Sequence, residues 1–187
     1  MVNEKIFSDF EVKETSILFK GDSKAETIGC VGSLEESLNV ITRTKKCEGV
    51  VVKSRTKSDG SGELKLSLHM KYDVYLKTFA MVLENLKTGI SAYGTNNTHP
   101  YFCLTAKVLD EDDNVKYIAY PNCTASTGIA RKIENGATEV AEMELTISVS
   151  ADEFGNVKYE GLEENISDES VKSAWLTNFT PELVQAN

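Results

Sequence analysis

Glu63-Leu64-Lys65-Leu66-Ser67-Leu68-His69 places a leucine at every second position. That period of two puts all three leucines on one face of a β-sheet. Upstream, Ser33 to Thr44 and Gly49 to Lys57 form an unusually long run of strand-like sequence, with Cys47-Glu48-Gly49 as its reversal. The span 34–69 is therefore expected to be a long protruding hairpin with its tip near Lys45–Gly49. Ser58-Asp59-Gly60-Ser61-Gly62 reads as a flexible turn before the leucine strand. Leu34, Leu38 and Val40 would point inward, with Glu35, Ser37 and Asn39 outward, but Glu36 spoils the inward face and leaves the register open. Downstream, Asp73 is placed as an N-cap, apolar residues recur at helical spacing, and Gly89 stands where a C′ glycine belongs. This predicts a flanking helix over 73–88, packed on the sheet through a core of Leu64, Leu66, Leu68, Phe79, Leu83 and Leu86.

The rest of the chain is rich in strand signals. Residues 1–14 are polar and read as an arm with Phe7 and Phe10 as docking points. Thr15–Phe19 and Thr27–Val31 read as short strands, and Tyr101–Leu109 with Val115–Tyr120 as a hairpin around Asp110–Asn114. Thr138–Ser150 and Val157–Glu160 read as a second pair turning at Asp152–Asn156, with apolar alternation from Ala141 to Val149. The two turns share D-E-x-x-N-V-K-Y, the same turn chemistry used twice. Residues 168–187 are expected to hold a short helix, Glu169–Leu176, and a docked aromatic tail. Many strands with few helices predict a β-rich α+β fold, a β-sandwich or partly closed barrel.

At 187 residues the chain suits one domain, 1–187, large enough for a core. Its 41% hydrophobic and 26% charged residues are those of an ordinary soluble globular protein. Met1–Phe10 has no apolar stretch of the signal-peptide kind, and no window approaches the ~18 apolar residues of a membrane span. The net charge of −9 is unevenly spread. From Ile41 to Lys57, Arg43, Lys45, Lys46, Lys53, Arg55 and Lys57 face only Glu48, a local +5. From Glu134 to Glu169 there are eleven carboxylates and only Lys158, a local −10. Each block reads either as a solvated face or as half of a complementary contact.

Catalytic patterns are missing. Cys30, Cys47, Cys103 and Cys123 are widely spaced and read as small buried hydrophobes of an intracellular chain, not as a disulfide framework or metal site. The histidines, His69 and His99, accompany no nucleophile-elbow context. Asp110-x-Asp112-x-Asn114 imitates a calcium loop, but Val115 stands where glycine is needed and Pro121 where a bidentate glutamate is needed. Gly60 and Gly62 lead into a strand, with no helix start to cradle phosphate. No cofactor, metal or enzymatic activity is expected.

Three sets of segments carry a resemblance. They are Cys47–Lys53 leading to Gly62–Asp73; Ala119–Cys123 followed by Arg131–Gly136; and Asp152–Asn156 with Trp175–Glu182. Together, in this order and over nearly the whole chain, they resemble the major tail proteins (tail tube proteins) of long-tailed, non-contractile phages and prophages of low-GC Gram-positive bacteria. The resemblance implies a β-sandwich with a flanking helix and a long hairpin, in a ring-forming fold. Its subunits would join as six-membered rings whose inner strands make a continuous barrel, and the rings would stack into the tail tube that conducts DNA. Implied partners are further copies of the chain, a tape-measure protein, a tail terminator and tail-tip initiator proteins. Genomic DNA would pass through without specific binding, and no membrane partner is implied. The implied location is the virion tail, assembled in the host bacterial cytoplasm.

On that reading the channel should be acidic or neutral, because each retained lysine–phosphate contact would be a sticking point for sliding DNA. Candidate lumen-facing residues are Glu35, Ser37, Asn39, Glu142 and Glu144; an exterior position for the two later glutamates stays open. Candidate contacts between subunits or rings are Lys45, Lys46, Lys53 and Arg55, with Asp152, Glu153, Glu163 and Glu164 as partners. Two other classes stand beside this one: a monomeric β-barrel binding a small ligand, and a nucleic-acid-binding module using Arg43–Lys57. The latter lacks the interleaved aromatics that single-strand binders stack on.

Overall fold

A computed structural model describes residues 6–81 and 84–186. Its strands are β1 (Glu11–Phe19), β2 (Glu26–Thr27), β3 (Gly29–Cys47), β4 (Val50–Met70), β5 (Phe102–Leu109), β6 (Val115–Ala125), β7 (Met143–Ser150) and β8 (Tyr159–Leu162). They form one sheet in the order β2-β1-β5-β6-β7-β4-β3, with β8 on β6, and the pairings are antiparallel. With helices α1 (Tyr72–Thr78) and α2 (Glu169–Trp175) the architecture is β-rich α+β.

The sheet is single and open, not the two stacked sheets or partly closed barrel that the strand count suggests. β6 is the cause. One edge of β6 pairs with β5, while its other edge takes β8 at Lys116–Ala119 and β7 at Asn122–Ala125. One long strand thereby joins what would otherwise be two layers. The sheet curls over its own inner face, so Ile17 and Phe19 of β1 share a core with Leu64, Leu66 and Leu68 of β4. Ile28, between β2 and β3, donates its amide to the Thr15 carbonyl of β1 (3.0 Å). Beyond that link a cleft of about 490 Å³ lies between β1 and β3.

The leucine alternation fills the core. Leu64, Leu66 and Leu68 lie opposite Ile147, Leu145 and Met143 of β7, and all three leucines are buried. Phe79 is fully buried in the same cluster. Each such side chain contributes about 1.5–3 kcal/mol of burial. Leu83 lies outside the described residues, and Leu86 is 37% exposed and does not join the core.

The helix is shorter than the predicted 73–88. It starts after Lys71, with Asp73 inside its first turn, and ends at Phe79. The stop is a Schellman motif. Ala80 takes a left-handed φ of 50°, its amide donates to Lys77 O (3.0 Å), and the Met81 amide donates to Leu76 O (2.8 Å). Asn97 Nδ2 then donates to Ala80 O and Ala92 O, tying the exit of the helix to the following loop. Alanine filling a glycine's usual place is why composition did not mark this end.

Other boundaries also move. β1 starts at Glu11, so the arm expected over 1–14 stops before it; Met1–Lys5 lie outside the described residues. β7 starts at Met143. The Asp152–Asn156 turn forms, but β8 then pairs with β6 and not with β7. At the C-terminus, Asp168 caps α2 by accepting from the Ser170 amide (2.8 Å). Trp175 and Phe179 pack with Tyr117, Ala119 and Cys103 on the outer face of β5 and β6, and Trp175 Nε1 donates to Ile118 O (3.1 Å). That half of the outer face is covered by α2 and the tail.

Leu66→Ala and Phe79→Ala should each cost about 2–5 kcal/mol, lowering Tm by several degrees in thermal denaturation, while Leu86→Ala stays within about 0.5 kcal/mol. Equal effects at all three sites would contradict this packing.

Candidate assembly surfaces

β3 and β4 run 19 and 21 residues, far longer than their neighbours. β4 pairs with β7 only from Ser61 to Leu68, whereas its ladder with β3 runs from the Cys47–Val50 pair to the Gly29–Met70 pair. Val40–Cys47 and Val50–Ser58 therefore leave the sheet as a two-stranded ribbon, roughly 25–30 Å long. Glu48 (φ 50°) and Gly49 (φ 84°) make its two-residue tip, both left-handed as a type I′ hairpin turn requires.

The expected flexible turn at Ser58–Gly62 is instead a bulge within β4. Leu38 pairs with Gly62 and Val40 with Ser58, so three residues of β4 lie opposite Asn39 alone. Asp59 Oδ1 accepts from the Ser61 amide (2.9 Å), and Asn39 Nδ2 donates to Ser61 Oγ (3.0 Å). The Ala151 amide donates to Gly60 O (2.8 Å), the last link to the strand beside it. Gly62 has to be glycine, since a Cβ there would lie 2.7 Å from Ser37 O and 2.6 Å from Leu38 Cδ2.

Beyond the bulge both faces of the ribbon are exposed, including Val40 (61%), Val50 (66%) and Val52 (56%). Val40, expected to point inward, sits past the end of the core. Cross-strand pairing separates the ribbon's residues by face. One face carries Arg43 opposite Arg55, Lys45 opposite Lys53, and Ile41 opposite Lys57. The other carries Thr42 opposite Thr56, hydrogen-bonded at 2.8 Å, and Thr44 opposite Ser54. Lys46 lies past a register shift, opposite Val51.

A second surface is the uncovered half of the sheet's outer face. Glu35, Lys65 and Thr146 share a row; Ser37, Glu63, Ser148 and Thr124 share the next; Ser67 and Glu144 share a third. Glu35, Ser37, Asn39 and Glu144 are all exposed. The rows bear three carboxylates, one lysine and small hydroxyls. Glu142 differs from the others: it precedes β7, and its carboxylate packs so closely on Gly32 that a Cβ there would lie 2.2 Å from Oε1.

The acidic candidates are partly engaged within the chain. Asp152 accepts from the Phe154 and Asn156 amides (3.0 and 2.9 Å) and from Tyr159 Oη (2.6 Å), holding its own turn. Glu163 accepts from Tyr117 Oη (2.8 Å); burial and this carboxylate raise the Tyr117 hydroxyl to about 12. Glu163 and Glu164 line a cleft of about 170 Å³ with Asp110 and Asp113. Glu153 meets Glu182, whose carboxylate holds the Glu153 carboxyl above its ordinary value.

Glu36, which obscured the register, does lie on the core side, opposite Leu64. Its carboxylate accepts from the Tyr120 hydroxyl and pairs with Lys158 (2.9 Å), which also meets Glu160 (2.8 Å). Tyr120 and Lys158 are remote in sequence, and only the curl of the sheet brings them to Glu36. Of the four cysteines expected to be buried, Cys30 and Cys47 on β3 are exposed; burial pushes Cys103 up to about 12 and Cys123 upward too, so both of these are held as thiols. Among the described residues no group of three or more His, Cys, Asp or Glu is placed to hold a metal ion, and no helix is long and apolar enough to cross a membrane.

Burial works to lower Lys158, but Glu160 and Glu36 outweigh it and hold the ammonium above its ordinary 10.5. A raised folded-state value means that the stabilisation is fully present below about pH 10.5 and is lost as pH rises through the raised value. The gap in urea midpoint between the natural protein and Lys158→Met should therefore be constant from about pH 6 to 9 and narrow above about 10.5. A gap unchanged at still higher pH would contradict the pairing.

No protein-family model matches the chain, and no curated protein matches it in sequence. Several solved chains are similar to it, two of which are described. One is a chain of the cryo-EM structure of the anti-feeding prophage baseplate, 6-fold symmetrised, at 14% identity and TM-score 0.42, covering 79% of this chain and 90% of that one. The other is a chain of the anti-feeding prophage cap, the tube-terminating cap, at 8% identity and TM-score 0.39, covering 87% and 98%.

Proposed function

We propose that this chain is a structural subunit of a phage tail tube, polymerising as stacked six-membered rings into the conduit for DNA. The observation that carries this reading is the hairpin that outgrows its sheet. A two-stranded ribbon exposed on both faces, bearing Val40, Ile41, Val50, Val51 and Val52, is marginal in water without a covering layer. A neighbouring subunit would supply that layer. The free outer edge of β3 is a second feature that association would satisfy, since unpaired strand edges are templates for pairing. The tail-tube resemblance carried by Cys47–Lys53, Gly62–Asp73 and Trp175–Glu182 supports the same assignment.

In such a tube the uncovered polar face carrying Glu35, Ser37, Glu63, Glu144 and Ser148 lines the lumen, with Asn39 at its margin. Glu142, engaged with Gly32, belongs to the subunit's own packing. The lumen is then net acidic and rich in hydroxyls, its one lysine, Lys65, is paired with Glu63 (3.5 Å), and DNA slides past it with little exchange of counterions for lysines. Further copies, a tape-measure protein, a tail terminator and tail-tip initiators are the partners. The protein acts in the virion tail after assembly in the host cytoplasm, without enzymatic activity.

Negative-stain microscopy of the concentrated full chain should show rings or tubes; a compact monomer at every concentration and salt would contradict the proposal. Tubes carrying Glu35→Lys with Glu144→Lys should co-sediment with duplex DNA at physiological salt, whereas tubes of the natural sequence should not. Equal retention would remove the lumen from this face.

A further inference from the structure

The connection from β6 to β7 carries the dipeptide Asn135-Gly136, and of the chain's asparagines only Asn135 precedes a glycine. Both residues are exposed and form a turn in which Gly136 is left-handed (φ 73°). The connection is anchored at its start. There the Glu144 amide donates to Ala130 O (3.2 Å), and the Arg131 guanidinium lies 5.9 Å from the centre of the Tyr75 ring. From Lys132 to Ala141 no backbone hydrogen bond holds it among the described residues. Neither the Asn135 side-chain amide nor the Gly136 N–H has a partner there, and a Cβ at Gly136 would meet nothing within 4 Å. Elsewhere asparagine side chains are tied down. Asn97 Nδ2 donates to Ala80 O and Ala92 O, Asn122 Nδ2 to Ala151 O (3.0 Å), and Asn156 Nδ2 to Tyr159 Oη (3.0 Å).

We propose that Asn135-Gly136 is a self-modification site, where the chain converts its own side-chain amide to an aspartyl or isoaspartyl linkage with water as the only co-reactant. The Gly136 backbone nitrogen, after giving up its proton to base, attacks Asn135 Cγ. The new N–Cγ bond closes a succinimide ring, the Cγ–Nδ2 bond breaks, and ammonia leaves with the proton it needs. Water then opens the ring at either carbonyl, giving aspartate or, where the main chain now runs through Cγ, isoaspartate. The step needs an unshielded nitrogen and a backbone free to bring it onto Cγ. Glycine supplies the first, and a turn outside every ladder supplies the second. Asp59-Gly60 is the control within the same molecule, since it can close the same ring with loss of water. There the Gly60 amide donates to Ser58 Oγ (3.1 Å), and Asp59 Oδ1 accepts from the Ser61 amide (2.9 Å) and Ser61 Oγ (2.8 Å). Gly60 O is held by the Ala151 amide (2.8 Å), so both reacting groups are restrained. Conversion at 135 places a new carboxylate beside Glu134, which pairs with Lys132, and adds nothing to the core. The inference does not depend on the tail-tube reading; in a persistent particle of the kind that reading implies, the change would accumulate with age.

The test ages the purified full chain at neutral and at mildly alkaline pH, both folded and in urea. Peptide mass spectrometry with enzymatic methylation of isoaspartyl carboxylates then locates the product. Isoaspartate should appear at 135 in the folded chain at a rate comparable to that in urea, and faster at the higher pH. Asp59 should isomerise severalfold faster in urea than in the folded chain. Isoelectric focusing of the folded chain should show an acidic step that is absent from Asn135→Gln. Gly136→Ala has open space for its methyl but a strained φ, and should convert severalfold more slowly. Both variants should keep the Tm of the natural protein, so that the comparison is made on folded chains. An intact amide at 135 in folded chains while the urea sample converts would overturn the inference. So would isoaspartate at 59 keeping pace with 135 in the folded chain, or Gly136→Ala converting as fast as the natural sequence.

Discussion

A β-ladder satisfies only the backbone groups it pairs, and its side chains need a layer to pack against; β3 and β4 extend past both supplies. Up to the bulge at Asp59–Ser61, β4 is flanked by β3 and β7 and covered by the core. Past it, the ribbon has only its own cross-strand pairs. The bulge therefore divides the part of β3 and β4 that lies over the core from a ribbon with no layer of its own. Gly62, which a side chain would drive into Ser37 O and Leu38, fixes where that division falls.

The same division organises the surface. On the outer face α2 and the aromatic tail cover β5 and β6, with Trp175 and Phe179 against Tyr117. The other half, on β3, β4 and β7, is left to Glu35, Ser37, Glu63, Lys65, Glu144 and Thr146. Charge follows suit. Eight body lysines meet carboxylates, and Lys158 pairs with Glu36 at the cleft between β1 and β3. The ribbon's Arg43, Lys45, Lys53, Arg55 and Lys57 share one face, without an ion pair among the described residues.

Where period and turn chemistry act locally, the sequence was legible. The leucine alternation at Leu64–Leu68 located β4 and its buried face, and Glu48-Gly49 located the hairpin tip. Features that depend on distant partners were not legible. Glu36 looked like an error in its strand because Tyr120 and Lys158, which complete it, come more than 80 residues later. α1 looked twice as long because Ala80, not a glycine, takes the left-handed position that ends it. The sandwich became one sheet because β6 takes different partners along its two halves, which no local pattern encodes. Of the candidate surfaces, the ribbon's charge was visible, but its segregation to one face was hidden by the register shifts flanking Asn39 and Lys46.

The central claim is that the domain is self-sufficient without the ribbon and that association depends on it. The most direct measurement is sedimentation velocity on a variant in which Val40 is joined to Ser58 by an Asn-Gly turn, deleting Ile41–Lys57, alongside the full chain. The account predicts that the shortened protein keeps the Tm of the domain and stays monomeric at every concentration, while the full chain associates as concentration rises. A shortened protein that unfolds, or that associates as readily as the full chain, would contradict it.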